Sequence, residues 1–501
     1  MTPPGEWAHL PPVPILVGGR WETVRAERWG LVFNPSTGEP IAGAPLCSPP
    51  IVDRAVQAAA AAFPAWADTP AVERARVMFR FRELLQREKA ELARLVSREH
   101  GKTWAEAAAS IQRGIEVVEF SCGLPSLLAG QHVENLAAGL DCSTARTPLG
   151  VCVGISPFNF PVMVPLWMIP VALTCGNTFV LKPSERTPLS AVRLGELLAE
   201  AGLPDGVFNL VHGDQECAEA LLQHPEVRAV SFVGSTRVAR HVYEVANREG
   251  KRVQAGGGAK NHLYVLPDAD LERAVEGIAA AAYGCAGERC MAGSVAVPVG
   301  GVAEEFVERL VRHAGALSLG RTDRGADVDL GPLISAEHRD RVADHLTQAA
   351  QEGARLALDG RERRPDGSGF FLGPSVVDCV RAGMRLAREE VFGPVLAVIR
   401  APDLEAALAL AAQSAYGNGA VLFTESGGAA REFQRRCNAG MVGINVGVPA
   451  PMAWFPFSGW NQSFFGDLHM QGLEGMQFYT RQRVVTSRWS RTAIPAPRGS
   501  F

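Results

Sequence analysis

Five short stretches carry the residues that could do chemistry. In GERCMA, Cys290 follows Glu288 and Arg289. The thiolate is the nucleophilic form of cysteine and a neighbouring cation favours it, so Arg289 marks Cys290 as a candidate nucleophile. A lone cysteine is otherwise a small buried hydrophobe. In PFNFP, Asn159 stands between aromatic and proline neighbours, as either a buried loop amide or a donor to an oxyanion. In LKPSE, Lys182 and Glu185 could grip a ribose or form a solvated turn at a strand end. In FVGST a strand runs into Gly234 and then a helix, which would aim backbone N–H groups at an anion, although the G-x-G-x-x-G spacing is absent. Last, RVQAGGGAKN sets three glycines before Lys260. A P-loop requires Ser or Thr after its lysine, and Asn261 stands there, so the run marks a turn where backbone passes close to another group.

These residues need elements to position them. Residues 69–101 show apolar positions at helical spacing, opened by Pro70 and closed by Gly101, which predicts an amphipathic helix, broken at most once. VCVGI (151–155) and TFVLK (178–182) read as buried strands. Residues 187–202 read as a helix with Thr187 as N-cap, Pro188 next and Gly202 at its end. A strand at 206–211, a helix at 214–224 and a strand at 228–234 continue the alternation, which predicts a parallel sheet with crossover helices. After the glycine run a helical pattern at 269–284 leads to Cys290, and strands at 370–380 and 396–400 indicate a second α/β unit. Residues 447–459 read as a packed irregular loop.

With 501 residues and 47 % apolar content the chain can bury more than one domain. Its 49 basic and 53 acidic residues leave a net charge of −4, which asks for no nucleic acid. The Arg-rich RQRVVTSRWSR (481–491) alternates with Val, Thr, Ser and Trp and reads as a strand with one solvated face. Residues 151–181 carry no charge, but Pro157, Pro161, Pro165 and Pro170 would break a membrane-spanning helix repeatedly. No signal peptide is read at the N-terminus. The ten scattered cysteines form no C-x-x-C pair or zinc spacing, so no metal site is expected and a reducing cytoplasm is.

Taken in order, PFNFP, LKPSERTP, AGLPDGVFNLVHG, FVGST, GGAK, GERC and EEVFGPV resemble the aldehyde dehydrogenase superfamily, from about residue 15 to about residue 490. Within it, the long apolar run around PFNFP, GKRVQAGGGAKNH, GERCMA and QFYTRQRVVTSRW are most similar to the methylmalonate-semialdehyde dehydrogenase branch, which passes its acyl group to coenzyme A. The resemblance implies an α/β aldehyde dehydrogenase fold: a Rossmann-like NAD-binding domain (1–126 and 147–258), an α/β catalytic domain (259–458), and a hairpin and arm (127–146 and 475–492) that pair subunits as dimers or tetramers. It implies Cys290 as nucleophile, with Asn159 and the Cys290 N–H holding the oxyanion. NAD would meet Phe158, Lys182, Ser184 and Glu185, then Gly234 and Ser235, then Glu390 and Phe392. Glu185 at the ribose suits NAD better than NADP. Ala239 departs from the family, which has glycine there.

Arg113 and Arg289 match the family's two carboxylate-binding arginines, although Arg113 taken alone reads rather as a solvated helix face. Superfamily members that hydrolyse their thioester use a glutamate as general base, and Gly256 stands at that position. A second glutamate of the family aligns with Leu473, one residue before Glu474. The reading is therefore oxidation of malonate or methylmalonate semialdehyde with NAD, acyl transfer to coenzyme A and loss of CO2. A hydrolytic NAD(P)-dependent enzyme for another acidic aldehyde, or a non-catalytic member of the fold, is the alternative.

Overall fold

The computed structural model describes residues 5–489 apart from 326, 364 and 366. Residues 490–492, at the end of the expected arm, lie outside the described residues.

An eight-stranded sheet holds at its centre five parallel strands, in the order Phe208–Leu210, Thr178–Lys182, Val151–Ile155, Val227–Val233, Arg252–Gly256. Every residue of Val151–Ile155 and Thr178–Lys182 is buried, as expected of parallel strands covered on both faces. The register pairs Ile155 with both Lys182 and Phe232, and Val233 with Gly256. The carboxyl ends of four strands therefore share one edge, and the loops carrying Asn159, Glu185, Ser235 and Gly257 leave it together. The strand order reverses beside Val151–Ile155, the place where open α/β sheets bind ligands.

One face of this sheet packs the helices Ala71–His100, Trp104–Cys122, Met163–Thr174 and Leu189–Glu200. The other packs Pro49–Asp68, Gln215–Gln223 and Thr236–Arg248. Ala71–His100 is unbroken over 30 residues and ends on Gly101, whose φ of 95° suits glycine. Thr103 then opens the next helix through a capping box with Glu106. The apolar run resolves into a buried strand, a loop and the helix Met163–Thr174, which contains Pro170. Among the described residues no helix is long and apolar enough to cross a membrane.

Two expectations need correction. Thr187 is not the N-cap of its helix: Pro188 holds that position and the Thr187 hydroxyl donates to the Phe158 carbonyl. The buried Glu99 carboxylate instead accepts from the N–H groups of Leu189 and Ser190, a capping anion supplied from another helix. The strand Thr480–Arg488 forms, but both of its faces are largely exposed. It pairs antiparallel with Leu140–Pro148, which pairs with His132–Ala137, and among the described residues no other element pairs with that three-stranded sheet.

The second unit is a seven-stranded sheet, ordered Arg355–Leu358, Ser375–Asp378, Val395–Val398, Gly293–Pro298, Asn261–Val265, Gly419–Phe423, Met441–Ile444, and parallel except at its first pair. The strands Asn261–Val265, Gly293–Pro298 and Val395–Val398 begin shortly after Lys260, Cys290 and Glu390. Their amino ends meet the carboxyl edge of the first sheet, and the cleft between the two edges is the site.

Candidate active site

A cavity of about 590 Å³ fills the cleft. Phe158, Asn159, Lys182, Ser184, Glu185, Gly234, Ser235, Cys290, Glu390 and Phe392 all line it. Lys182 is no solvated turn residue. It is buried, and its ammonium donates to the carbonyls of Pro183 (2.9 Å) and Gly213 (2.5 Å), with the half-exposed Glu185 carboxylate 3.8 Å away. Beyond Gly234, the helix Thr236–Arg248 turns its N-terminus into the same space. Ala239 is buried in the core under this helix and does not line the cavity.

At the other end, Glu390 accepts the Ala259 N–H at 2.9 Å. Burial pushes its carboxyl up to about 7, against the Ala259 hydrogen bond and the Lys260 charge. Burial also lowers Lys260 to about 8. Phe392, at φ 57°, meets the Phe158 ring edge-on, and its carbonyl bonds His338 Nε2 at 2.6 Å. Arg341 donates to His338 Nδ1 at 2.6 Å, so the imidazole is neutral, with its proton on Nε2. Its pKa is correspondingly low, about 4, chiefly through burial.

The chain reaches Cys290 through a tight unwinding of the helix Leu271–Tyr283, in which Cys285, Ala286 and Gly287 all have positive φ. A Cβ on Gly287 would stand 2.1 Å from the Gly393 carbonyl oxygen, so only glycine fits. Asn159 is buried against this loop. Its amide donates to the Glu288 carbonyl at 2.9 Å, and its own carbonyl accepts from the Lys102 ammonium at 2.7 Å. Cys290 does not have the depressed pKa that a neighbouring cation suggests. Burial pushes its thiol up to about 12 and Glu390 adds to this, while the N–H groups of Cys290 and Met291 and then Arg289 oppose it more weakly. Desolvation outweighs the guanidinium here.

Cys290 also lines a second cavity of about 240 Å³, with Arg113, Arg289, Glu106, Phe160, Trp167 and Phe457 around it. The two arginines thus share a pocket with the thiol. Arg113 is held by Glu116 (3.1 Å) and by the Pro451 carbonyl (2.6 Å). Arg289 Nη2 donates to the carbonyls of Ala280 and Ala281, while its buried Nε has no hydrogen-bond partner among the described residues.

The three glycines differ. A Cβ on Gly257 would lie 2.7 Å from the Gln462 carbonyl, and one on Gly258 2.4 Å from Glu390 Oε2. At Gly256 the nearest atoms, on Met470, Phe232 and Val233, are 3.7 Å away, an ordinary contact. Gly256 and Cys290 line the same small cavity. Packing therefore demands glycine at 257, against backbone, would force Glu390 to shift for any side chain at 258, and leaves ordinary room at 256. Leu473 is half-exposed, and Glu474 is bound to His469 at 2.8 Å.

Other residues of the site have no role assigned by the motifs. Asn261 and Asn418 both bond the Cys290 carbonyl. Glu288, fully buried, has its carboxylate oxygens 3.6 Å from His100 Nε2 and 3.4 Å from His338 Nε2. Asn261 stands in the glycine stretch, where its type shows only that the P-loop pattern is broken. For Asn418, His100 and His338 sequence spacing offers no signal. Among the described residues no cluster of His, Cys, Asp and Glu could hold a metal ion.

The model of the aldehyde dehydrogenase family matches residues 21–485. The chain is 50 % identical over 473 residues to the malonate-semialdehyde dehydrogenase of Halalkalibacterium halodurans, covering 94 % of this chain and 97 % of that one. It is 49 % identical over 465 residues to that of Pseudomonas aeruginosa, covering 92 % and 93 %. Among solved structures, methylmalonate-semialdehyde dehydrogenase from Oceanimonas doudoroffii superposes with a TM-score of 0.95 at 46 % identity, over 96 % of this chain and 99 % of that one. A Sinorhizobium meliloti structure, provisionally named for the same activity and complexed with NAD, gives 0.95 at 44 % over the same shares.

Proposed function

The chain belongs to the aldehyde dehydrogenase family, and from that premise we propose that it oxidises malonate or methylmalonate semialdehyde with NAD and passes the acyl group to coenzyme A. The observation that carries the reading is the pairing of a half-buried cysteine with a glycine beside it, where a water-activating carboxylate would stand.

The larger cavity suits a dinucleotide. Lys182 and Glu185 lie at one end for ribose hydroxyls, a helix N-terminus for the pyrophosphate, and Glu390 at the other end for the second ribose. When bound, NAD supplies the hydride acceptor. The chain's own residues do the rest. Cys290 sulfur adds to the aldehyde carbon, and the oxyanion is received by the Asn159 amide and the Cys290 N–H. One Asn159 N–H is committed to the Glu288 carbonyl, which fixes the amide and leaves the other for the oxyanion. Arg113 and Arg289 receive the substrate carboxylate in the smaller cavity.

Loss of hydride leaves a thioester on Cys290. With no carboxylate at 256 to deprotonate water, hydrolysis is slow, and the thiol of coenzyme A attacks the carbonyl and releases the Cys290 thiolate. The β-carboxylate leaves as CO2, its bonding electrons pass to the α-carbon, and that carbon takes up a proton, giving acetyl-CoA or propionyl-CoA. Residues 1–126 and 147–258 carry the cofactor and 259–458 the nucleophile. The enzyme works in the cytoplasm as a homodimer or homotetramer joined through the uncovered three-stranded sheet, whose Val133, Leu136, Val484 and Val485 are exposed.

The test is to mix enzyme, NAD and semialdehyde without coenzyme A and weigh the tryptic peptide that contains Cys290. An acyl adduct on Cys290, absent from Cys290→Ala, is expected. Full turnover by Cys290→Ala would overturn the reading.

A further inference from the structure

Two side-chain amides converge on one carbonyl. Asn261 Nδ2 and Asn418 Nδ2 each donate to the Cys290 carbonyl oxygen at 2.9 Å. They come from adjacent parallel strands: Asn261 opens Asn261–Val265, and Asn418 immediately precedes Gly419–Phe423, with His262 paired to Ala420. Both residues are 5 % exposed. Asn261 is fixed at every polar atom, since its other N–H goes to the Ala292 carbonyl at 2.8 Å and its oxygen takes the Gly419 N–H at 3.0 Å. A carbonyl oxygen has two lone pairs, and two donors here fill both.

A trans peptide is planar, so holding the Cys290 C=O also holds the Met291 N–H on the opposite edge of the same plane. That N–H and the one of Cys290 itself both favour the thiolate, opposing the effect of burial. We propose that Asn261 and Asn418 are positioning residues for Cys290: their amides lock the 290–291 peptide so that the Met291 N–H stays aimed at the sulfur and stabilises the thiolate as it forms. The inference rests on the reading of Cys290 as the nucleophile. It has a clear physical need behind it. Desolvation disfavours the thiolate, Glu390 nearby disfavours a second negative charge, and Gly256 provides no carboxylate to draw off the proton. A hydrogen bond to a charged acceptor is about twice as strong as a neutral one, provided that its geometry is held.

The experiment follows iodoacetamide alkylation of Cys290 by peptide mass spectrometry, across alkaline pH, in the full-length parent, Asn418→Ala and Asn261→Ser, with thermal unfolding recorded for each. Either folded variant should be alkylated about tenfold more slowly at a given pH, with the rise in rate displaced to higher pH, as expected when a hydrogen bond to the charged form is lost. In turnover, kcat should fall while KM for NAD stays unchanged. A folded variant with the parental alkylation profile would overturn the proposal even if turnover fell. Failure of both variants to fold would also overturn it, since the amides would then hold the fold and not the peptide. Turnover by Cys290→Ala would instead sink the nucleophile reading, which the alkylation profile does not test.

Discussion

Gly258 lies directly against Glu390: a Cβ on Gly258 would stand 2.4 Å from Glu390 Oε2. The next residue, Ala259, donates its N–H to the other carboxylate oxygen at 2.9 Å. The turn therefore grips the carboxyl group from one side, and a methyl group would push it away. Gly258→Ala should raise KM for NAD and cost about 1–3 kcal/mol of stability, the usual range for overpacking. Steady-state kinetics and denaturant unfolding measure the two effects. Parental values for both would mean that Glu390 does not depend on this contact.

Gly256 is the opposite case, since its Cβ position has room. Gly256→Glu should fold and should increase NADH formation in the absence of coenzyme A, because a carboxylate beside Cys290 can activate water. Product analysis should show more free acid. An unchanged rate without coenzyme A would mean that position 256 does not decide the fate of the thioester.

The two arginines should separate by substrate. Arg289→Ala should raise KM about tenfold or more for a carboxylated semialdehyde, through loss of a charge-assisted contact, and leave a neutral aldehyde of equal length unaffected. Arg113→Ala should raise KM for both, because Arg113 also ties down the loop around Pro451. Equal KM values for the acidic aldehyde in parent and Arg289→Ala would remove Arg289 from substrate binding.

Glu288 predicts a pH-dependent stability. Burial raises its carboxyl from the ordinary 4.5 to about 8, against the Ile334 N–H and the charges of Lys102, Arg186 and Arg341. The folded state thus holds this proton more tightly than the unfolded chain. Its contribution to stability is fully present below about pH 4.5 and is lost as pH rises through about 8. Glutamine does not titrate, so Glu288→Gln should gain stability relative to the parent between about pH 5 and about pH 9. Denaturant unfolding at both ends checks this, and a constant difference would contradict it.

Much of the fold was legible because parallel strands and their crossover helices write their periods plainly, as in VCVGI, TFVLK and the run from Ala71 to Gly101. Local capping rules failed at Thr187, where the capping group, Glu99, comes from another helix. The cavity residues follow from short motifs at strand ends. For Cys290 the sequence shows the neighbouring Arg289 charge but not the burial that outweighs it. The convergence of Asn261 and Asn418 depends on the pairing of two strands that lie far apart in the chain, so no local pattern reveals it.

The most direct test measures NADH formation from malonate or methylmalonate semialdehyde with and without coenzyme A, together with the acyl product. Turnover should depend strongly on coenzyme A and yield acetyl-CoA or propionyl-CoA with one CO2 per NADH. Equal rates in its absence, with free carboxylic acid as the product, would contradict acyl transfer as the function of this site.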